Sequence, residues 1–112
     1  MPDTTLWLQI SAGQCPAECE WVVARLAPIL VNELTAISLE VTVISTIAGA
    51  HPGDLKSILL RVTGRAAQSL VANWLGTIQW IGVSPYRPHH KRKNWFVSIA
   101  SFDEPDTGHW DT

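Results

Sequence analysis

Leu6-Trp7-Leu8-Gln9-Ile10-Ser11-Ala12-Gly13-Gln14-Cys15-Pro16-Ala17-Glu18-Cys19-Glu20-Trp21-Val22 changes rhythm halfway along. Leu6, Leu8 and Ile10 alternate with Trp7 and Gln9, the period of a strand with one apolar face. Ser11 to Gln14 makes a turn, and Pro16 suits the first position of a helix. Glu18 and Glu20 then complement the positive end of the helix dipole. Val22, Leu26, Ile29 and Leu30 recur at helical spacing, with Arg25 and Glu33 free to face water. Pro28 falls inside this pattern and is expected to kink or split the helix, because it cannot bond back to Ala24.

Beyond the helix, Leu39, Val41 and Val43 predict a second strand, and Ile58, Leu60 and Val62 a third that Gly64 breaks. Between them lies a loop dense in turn formers, Gly49-Ala50-His51-Pro52-Gly53-Asp54. Ala66, Leu70 and Trp74 mark one face of a short second helix, with Gly76 as its expected cap. Residues 77–83 and 95–102 read as two more strands. The order β-α-β-β-α-β-β predicts an α+β two-layer sandwich, a mostly antiparallel sheet of about five strands with two helices on one face. Residues 1–102 form this single domain, and residues 103–112 an acidic, flexible tail with Pro105 and Gly108. Of the six tryptophans, most are assigned to the core, with Trp95 and Trp110 the exposed ones.

At 112 residues and 46% hydrophobic, the chain is neither a disordered tail nor two independent cores. The 7 Gly and 7 Pro are too few for a low-complexity segment. No apolar run is long enough to span a bilayer, and residues 1–9 lack the basic start of a signal peptide, so no membrane partner and a cytoplasmic location are expected.

The net charge of −2 hides a segregation. Residues 1–54 hold one basic residue, Arg25, against Asp3, Glu18, Glu20, Glu33, Glu40 and Asp54. Residues 55–102 hold Lys56, Arg61, Arg65, Arg87, Lys91, Arg92 and Lys93 and no carboxylate. Such asymmetry points to a polyanionic partner, nucleic acid first, or else to a solvated basic edge.

The basic residues gather in Ser84-Pro85-Tyr86-Arg87-Pro88-His89-His90-Lys91-Arg92-Lys93-Asn94-Trp95. Arg87, Lys91, Arg92 and Lys93 suit phosphates. Ser84, Tyr86, His89, His90 and Asn94 suit base edges or base stacking, with Trp95 a further plane, and Pro85 and Pro88 stiffen the loop. This is the pattern of single-stranded or irregular RNA recognition; the alternative is a hairpin tip whose charges prevent edge-to-edge aggregation.

Catalysis and metal binding find less support. His89 and His90 are adjacent, and His51 and His109 are distant in sequence. Cys15 and Cys19 offer half a zinc site at i, i+4 spacing with no second pair. Cys15 near a helix start has the setting of a thiol nucleophile, which would need a histidine in reach. No catalytic residue, metal or cofactor is assigned; a small cysteine- or metal-dependent enzyme and a protein-interaction module remain the alternatives.

The block from Gly76-Thr77-Ile78-Gln79-Trp80 through Ser84 to Trp95-Phe96-Val97 resembles the N-terminal domain of release factor H, a bacterial family homologous to peptide chain release factors. Pro16-Ala17-Glu18-Cys19 and Gly53-Asp54-Leu55-Lys56-Ser57 fit the same family, and the resemblance covers about residues 5–102. More distantly, residues 53–97 are similar to the codon-reading domain of class I release factors. There a Ser-Pro-Phe tripeptide reads the stop codon; Ser84-Pro85-Tyr86 stands in its place, and Lys93 where those factors carry a histidine.

The resemblance implies a ribosome-binding domain whose loop enters the small-subunit decoding centre and contacts ribosomal RNA, with no DNA partner. It also implies a role in termination, or in rescue of ribosomes with cut decoding-centre RNA. Family members continue into a domain bearing Gly-Gly-Gln, which promotes peptidyl-tRNA hydrolysis. These 112 residues hold no such motif, so the expectation is a non-enzymatic recognition half, isolated, truncated or split, with a separate catalytic release-factor domain as a further partner.

Overall fold

A computed structural model describes residues 3–13 and 16–104. Strand β1 (Asp3–Ser11) leads through the turn into helix α1 (Ala17–Ala36), then β2 (Glu40–Ala48) and β3 (Leu55–Arg65). Helix α2 (Ala67–Val71) follows and tightens into a 3₁₀ turn (Ala72–Trp74) before β4 (Gly76–Ile81) and β5 (Asn94–Asp103). One sheet results, in the order β2-β3-β1-β5-β4, with every neighbouring pair antiparallel. The α+β sandwich expected from the sequence is the observed one.

The alternating strand residues make the core. Leu6, Leu8 and Ile10 of β1 face Val62, Leu60 and Ile58 of β3 across the register, and all six are buried together with Trp95, Val97 and Ile99 of β5. Val22, Val23, Leu26, Leu30 and Leu34 of α1 and Ala67 and Val71 of α2 close over them in one cluster. Each buried valine, leucine or isoleucine among them contributes about 1.5–3 kcal/mol. The opposite sheet face lies open, with Phe96 and Phe102 exposed on it.

Several local expectations change. Helix α1 runs through Pro28 without a break. Pro28 is exposed, so water is available to the carbonyl its ring leaves unbonded. Gly64 does not break β3 but lies within it. A Cβ there would overlap the Leu39 side chain, so the missing side chain lets Leu39 close over the strand. Ile29 is exposed, and on α2 the buried face is Ala67 and Val71, not Ala66 and Leu70. Gly76 opens β4 at φ 111° and does not cap the helix. Trp95, which its basic neighbours place at the surface and its strand position in the core, is fully buried. It shares the inward face of β5 with Val97 and Ile99, so the period of two outweighs its place beside a basic loop. Trp110, His109, Cys15, Gln14 and residues 105–112 lie outside the described residues. Asp103, assigned to the tail, ends β5, and the neighbouring Glu104 pairs with Arg61 at 2.5 Å.

Candidate nucleic-acid interface

The loop between β4 and β5 is closed at its neck by two bonds. The Gly82 amide donates to the Lys93 carbonyl at 2.8 Å, and the buried Trp95 indole N–H donates to the Gly82 carbonyl at 2.9 Å. Above the neck the loop divides into two unlike halves.

In the first half the polar atoms turn inward. Ser84 is 2% exposed. Its Oγ accepts the amides of Tyr86 at 3.1 Å and Arg87 at 2.9 Å and donates to Glu18 Oε2 at 2.7 Å. Arg87 Nε donates to the same oxygen at 2.6 Å. Glu18 sits in the first turn of α1 and is itself 2% exposed. Burial opposes its ionisation, but the hydrogen bonds from Arg87 and Ser84 outweigh this and hold its carboxyl at about 2. A buried carboxylate is therefore the post to which Ser84 and Arg87 are tied.

Tyr86 is fixed to a second post. Its hydroxyl donates to Asp54 Oδ2, and its ring stacks on His51 with centroids 3.9 Å apart and planes 13° from parallel. Burial, then the bond to the Asp54 carboxylate, pushes the phenol up to about 12. Asp54 is held by its own loop, since its amide donates to the His51 carbonyl and its carbonyl accepts from Gly49. Glu20, two residues past Glu18, accepts the Ala50 amide at 3.0 Å. A Cβ at Gly49 would come within 2.8 Å of that Glu20 oxygen, so the glycine lets the loop reach the helix. The first turn of α1 thus holds both the 49–54 loop and the start of the 84–94 loop.

The second half turns outward. Pro88, His89, Lys91, Arg92, Lys93 and Asn94 are exposed. The His90 amide donates to the Arg87 carbonyl, and His90 Nδ1 accepts the Arg92 amide at 3.0 Å. Arg92 lies with its guanidinium carbon 4.9 Å from the Trp95 ring centroid and donates to the Asn94 carbonyl. Asn94 accepts from Gln79 across the β4–β5 pair at 3.1 Å. Lys91, Arg92 and Lys93 form a cationic tip on a shaped turn.

Of the ten residues singled out in the sequence, Ser84, Pro85, Tyr86, Arg87, His89, His90, Lys91, Arg92 and Lys93 lie on this one loop, and Asn94 opens β5 at its end. Sequence reasoning missed Glu18, Glu20, Asp54 and His51 as its supports. Their signal is weak: two carboxylates in a helix's first turn read equally well as dipole partners. Among the described residues no three His, Cys, Asp or Glu side chains gather as metal ligands, and Cys19 is buried in the core. No helix among them is long and apolar enough to cross a membrane.

No protein-family model matches the chain. Over 95 residues, 85% of the chain, it is 45% identical to a peptide chain release factor homolog of Escherichia coli strain ATCC 25922, and it spans 47% of that relative's length. Its fold matches RF2 of Thermus thermophilus with a TM-score of 0.75 at 20% identity, over 95% of this chain and 30% of that one. By sequence the chain is similar to about half of a peptide chain release factor homolog, and its fold is that of a part of RF2.

Proposed function

We propose that this chain is an RNA-recognition domain that binds the small ribosomal subunit at its decoding region, in the cytoplasm, for termination or for rescue of ribosomes with damaged decoding-centre RNA. The observation that carries the reading is the cationic tip, Lys91, Arg92 and Lys93, exposed on a loop whose base is fixed by buried carboxylates. A pre-shaped loop loses less conformational freedom on docking than a floppy one. The tip supplies phosphate contacts, which position a protein on RNA, while His89, His90 and Asn94 lie beside it for base edges.

In this reading Ser84, Tyr86 and Arg87 have two roles. In the free domain they tie the loop to Glu18 and Asp54. To read bases or bind phosphate, they exchange those bonds for bonds to RNA, so their contribution to affinity is a difference and smaller than that of the tip. Peptide release belongs to a Gly-Gly-Gln domain that these 112 residues do not contain, and the chain alone is expected to release no peptide from stalled ribosomes above a protein-free control.

The deciding experiment is co-sedimentation with small subunits that are intact or cut in the decoding centre, over a range of salt. Binding is expected, tighter to the cut subunits and insensitive to a stop codon in the A site. Replacing Lys91, Arg92 and Lys93 with Ala should lower the salt slope by about 0.7 for each phosphate no longer neutralised. An unchanged slope would return the loop to the solvated-edge reading. Tighter binding with stop codons regardless of cleavage would assign Ser84-Pro85-Tyr86 to codon reading.

A further inference from the structure

Beside the anchored half of the loop lies a groove of about 950 Å³ between α1, the 49–54 loop and the 84–87 segment. Its walls are mainly apolar: Trp21 and Trp80 meet edge to face, centroids 6.0 Å apart and planes at 82°, with Ile29, Pro52 and Pro85 around them, and Asp54 and Tyr86 line its far side as a bonded pair. Among the described residues its one cation is Arg25, whose guanidinium lies 5.0 Å from the Trp21 ring centroid.

The charges around this groove are arranged in a particular way. Arg25 is the only Lys or Arg in residues 1–54, a segment with six carboxylates. The three carboxylates nearest the loops are committed: Glu18 to Arg87 and Ser84, Glu20 to the Ala50 amide, and Asp54 to the Tyr86 hydroxyl. Arg25 is exposed and makes its contact with an aromatic face, which leaves its N–H groups available for an anion. Flat apolar walls at right angles suit one planar ring, which lies along one wall and meets the other edge-on. A nucleotide has that chemistry, a planar base with a stacking face joined to an anionic phosphate.

We propose that this groove takes one unstacked nucleotide of the bound RNA, with its base against the Trp21–Trp80 wall and its phosphate at Arg25. The inference rests on the RNA-binding reading above and adds a second contact region, separate from the cationic tip. It places on α1, within the acidic part of the chain, a contact that charge counting along the sequence does not reveal. A proline-rich peptide also suits aromatic grooves, but it gives Arg25 no anion to meet.

The test uses the whole chain and a fluorescently labelled single-stranded oligoadenylate hexamer, intact or with abasic central positions, followed by anisotropy at low salt. Ile29→Glu puts a carboxylate on the groove rim at an exposed position, where folding tolerates it; Arg25→Ala removes the cation. The wild type should prefer the intact hexamer by about 5- to 150-fold, the range of one base–aromatic stack. Ile29→Glu should abolish most of that preference, and Arg25→Ala should weaken binding of both hexamers by the phosphate contact it removes. The triple alanine variant of Lys91, Arg92 and Lys93 should bind both hexamers more weakly and keep the preference. If Ile29→Glu keeps the preference and Arg25→Ala binds as the wild type does, the groove is not the nucleotide site, while RNA binding by the tip stands. If the wild type binds neither hexamer nor small subunits, both readings fall. If a proline-rich decapeptide perturbs tryptophan fluorescence in the wild type and not in Ile29→Glu, while the hexamer does not, the groove is a peptide site and the proposal is wrong.

Discussion

The two parts of the 84–94 loop are neighbours in sequence and have opposite physics. Ser84, Tyr86 and Arg87 satisfy one another and two carboxylates from distant parts of the chain. His89, Lys91 and Lys93 project into solvent. The first half belongs to the fold and the second to whatever the fold meets. Basic residues in one sequence cluster therefore cannot be treated as one site. Arg87 and Lys91 are four residues apart, and of the two only Arg87 has a buried counter-ion among the described residues.

Stability measurements along the loop would sharpen or break this division. The largest effect is expected for Glu18→Gln, which leaves Ser84 and Arg87 without their carboxylate. Breaking a fully buried pair costs about 3–5 kcal/mol, and the exposure of Arg87 brings the expectation down to about 2–3 kcal/mol by urea unfolding. The same group sets an acid limb. Its folded pKa is depressed to about 2 from 4.5, so its contribution is present above pH 4.5 and lost as the pH falls toward 2. The variant should lack that part of the wild-type decline; an equally steep decline in both would remove Glu18 from its supporting role.

Tyr86→Phe comes next. It deletes the hydroxyl that donates to Asp54 and should cost about 1–2 kcal/mol. Tyr86 is the chain's single tyrosine, so ultraviolet titration reads it directly. Its folded pKa is raised from 10 to about 12, so the contribution is present below pH 10 and lost as the pH rises through about 12. Ionisation near 10 in the folded protein would contradict the bond to Asp54.

Arg92→Ala should cost about 0.5–1 kcal/mol by removing the cation from the Trp95 ring. Smallest of all, Lys91→Ala with Lys93→Ala should leave stability within about 0.5 kcal/mol of the wild type. A drop above 1 kcal/mol for the lysine pair would erase the contrast between the halves.

Much of the sheet is legible because Leu6, Leu8, Ile10 and Ile58, Leu60, Val62 keep a strict period of two, and burial of one face demands it. Trp95 obeys the same rule, although its basic neighbours argue for exposure. Backbone chemistry alone makes Pro28 and Gly64 look like breaks, whereas an exposed helix face and the approach of Leu39 make each compatible with its element. The tip is legible because charge is written residue by residue. Its supports are not: Glu18 lies 66 residues from Ser84, and Asp54 lies 32 from Tyr86. Nothing local distinguishes a carboxylate that will be buried beneath a loop from one that faces water.

The position of β1 has a consequence for synthesis. It lies between β3 and β5, so the first strand made pairs along one edge with the last. About 80 residues separate the end of β1 from the start of β5. At ~5–20 residues per second, that edge waits roughly 4–16 s on a translating ribosome before its partner exists. Until then Leu6, Leu8 and Ile10 can be sheltered by α1 and β3, but the sheet stays open beside them. Such distant pairing slows folding and leaves an edge available to neighbouring chains. Pulse proteolysis of nascent chains arrested with β5 still inside the exit tunnel, and with β5 carried clear of it by a C-terminal extension, should show protection arriving in one late step.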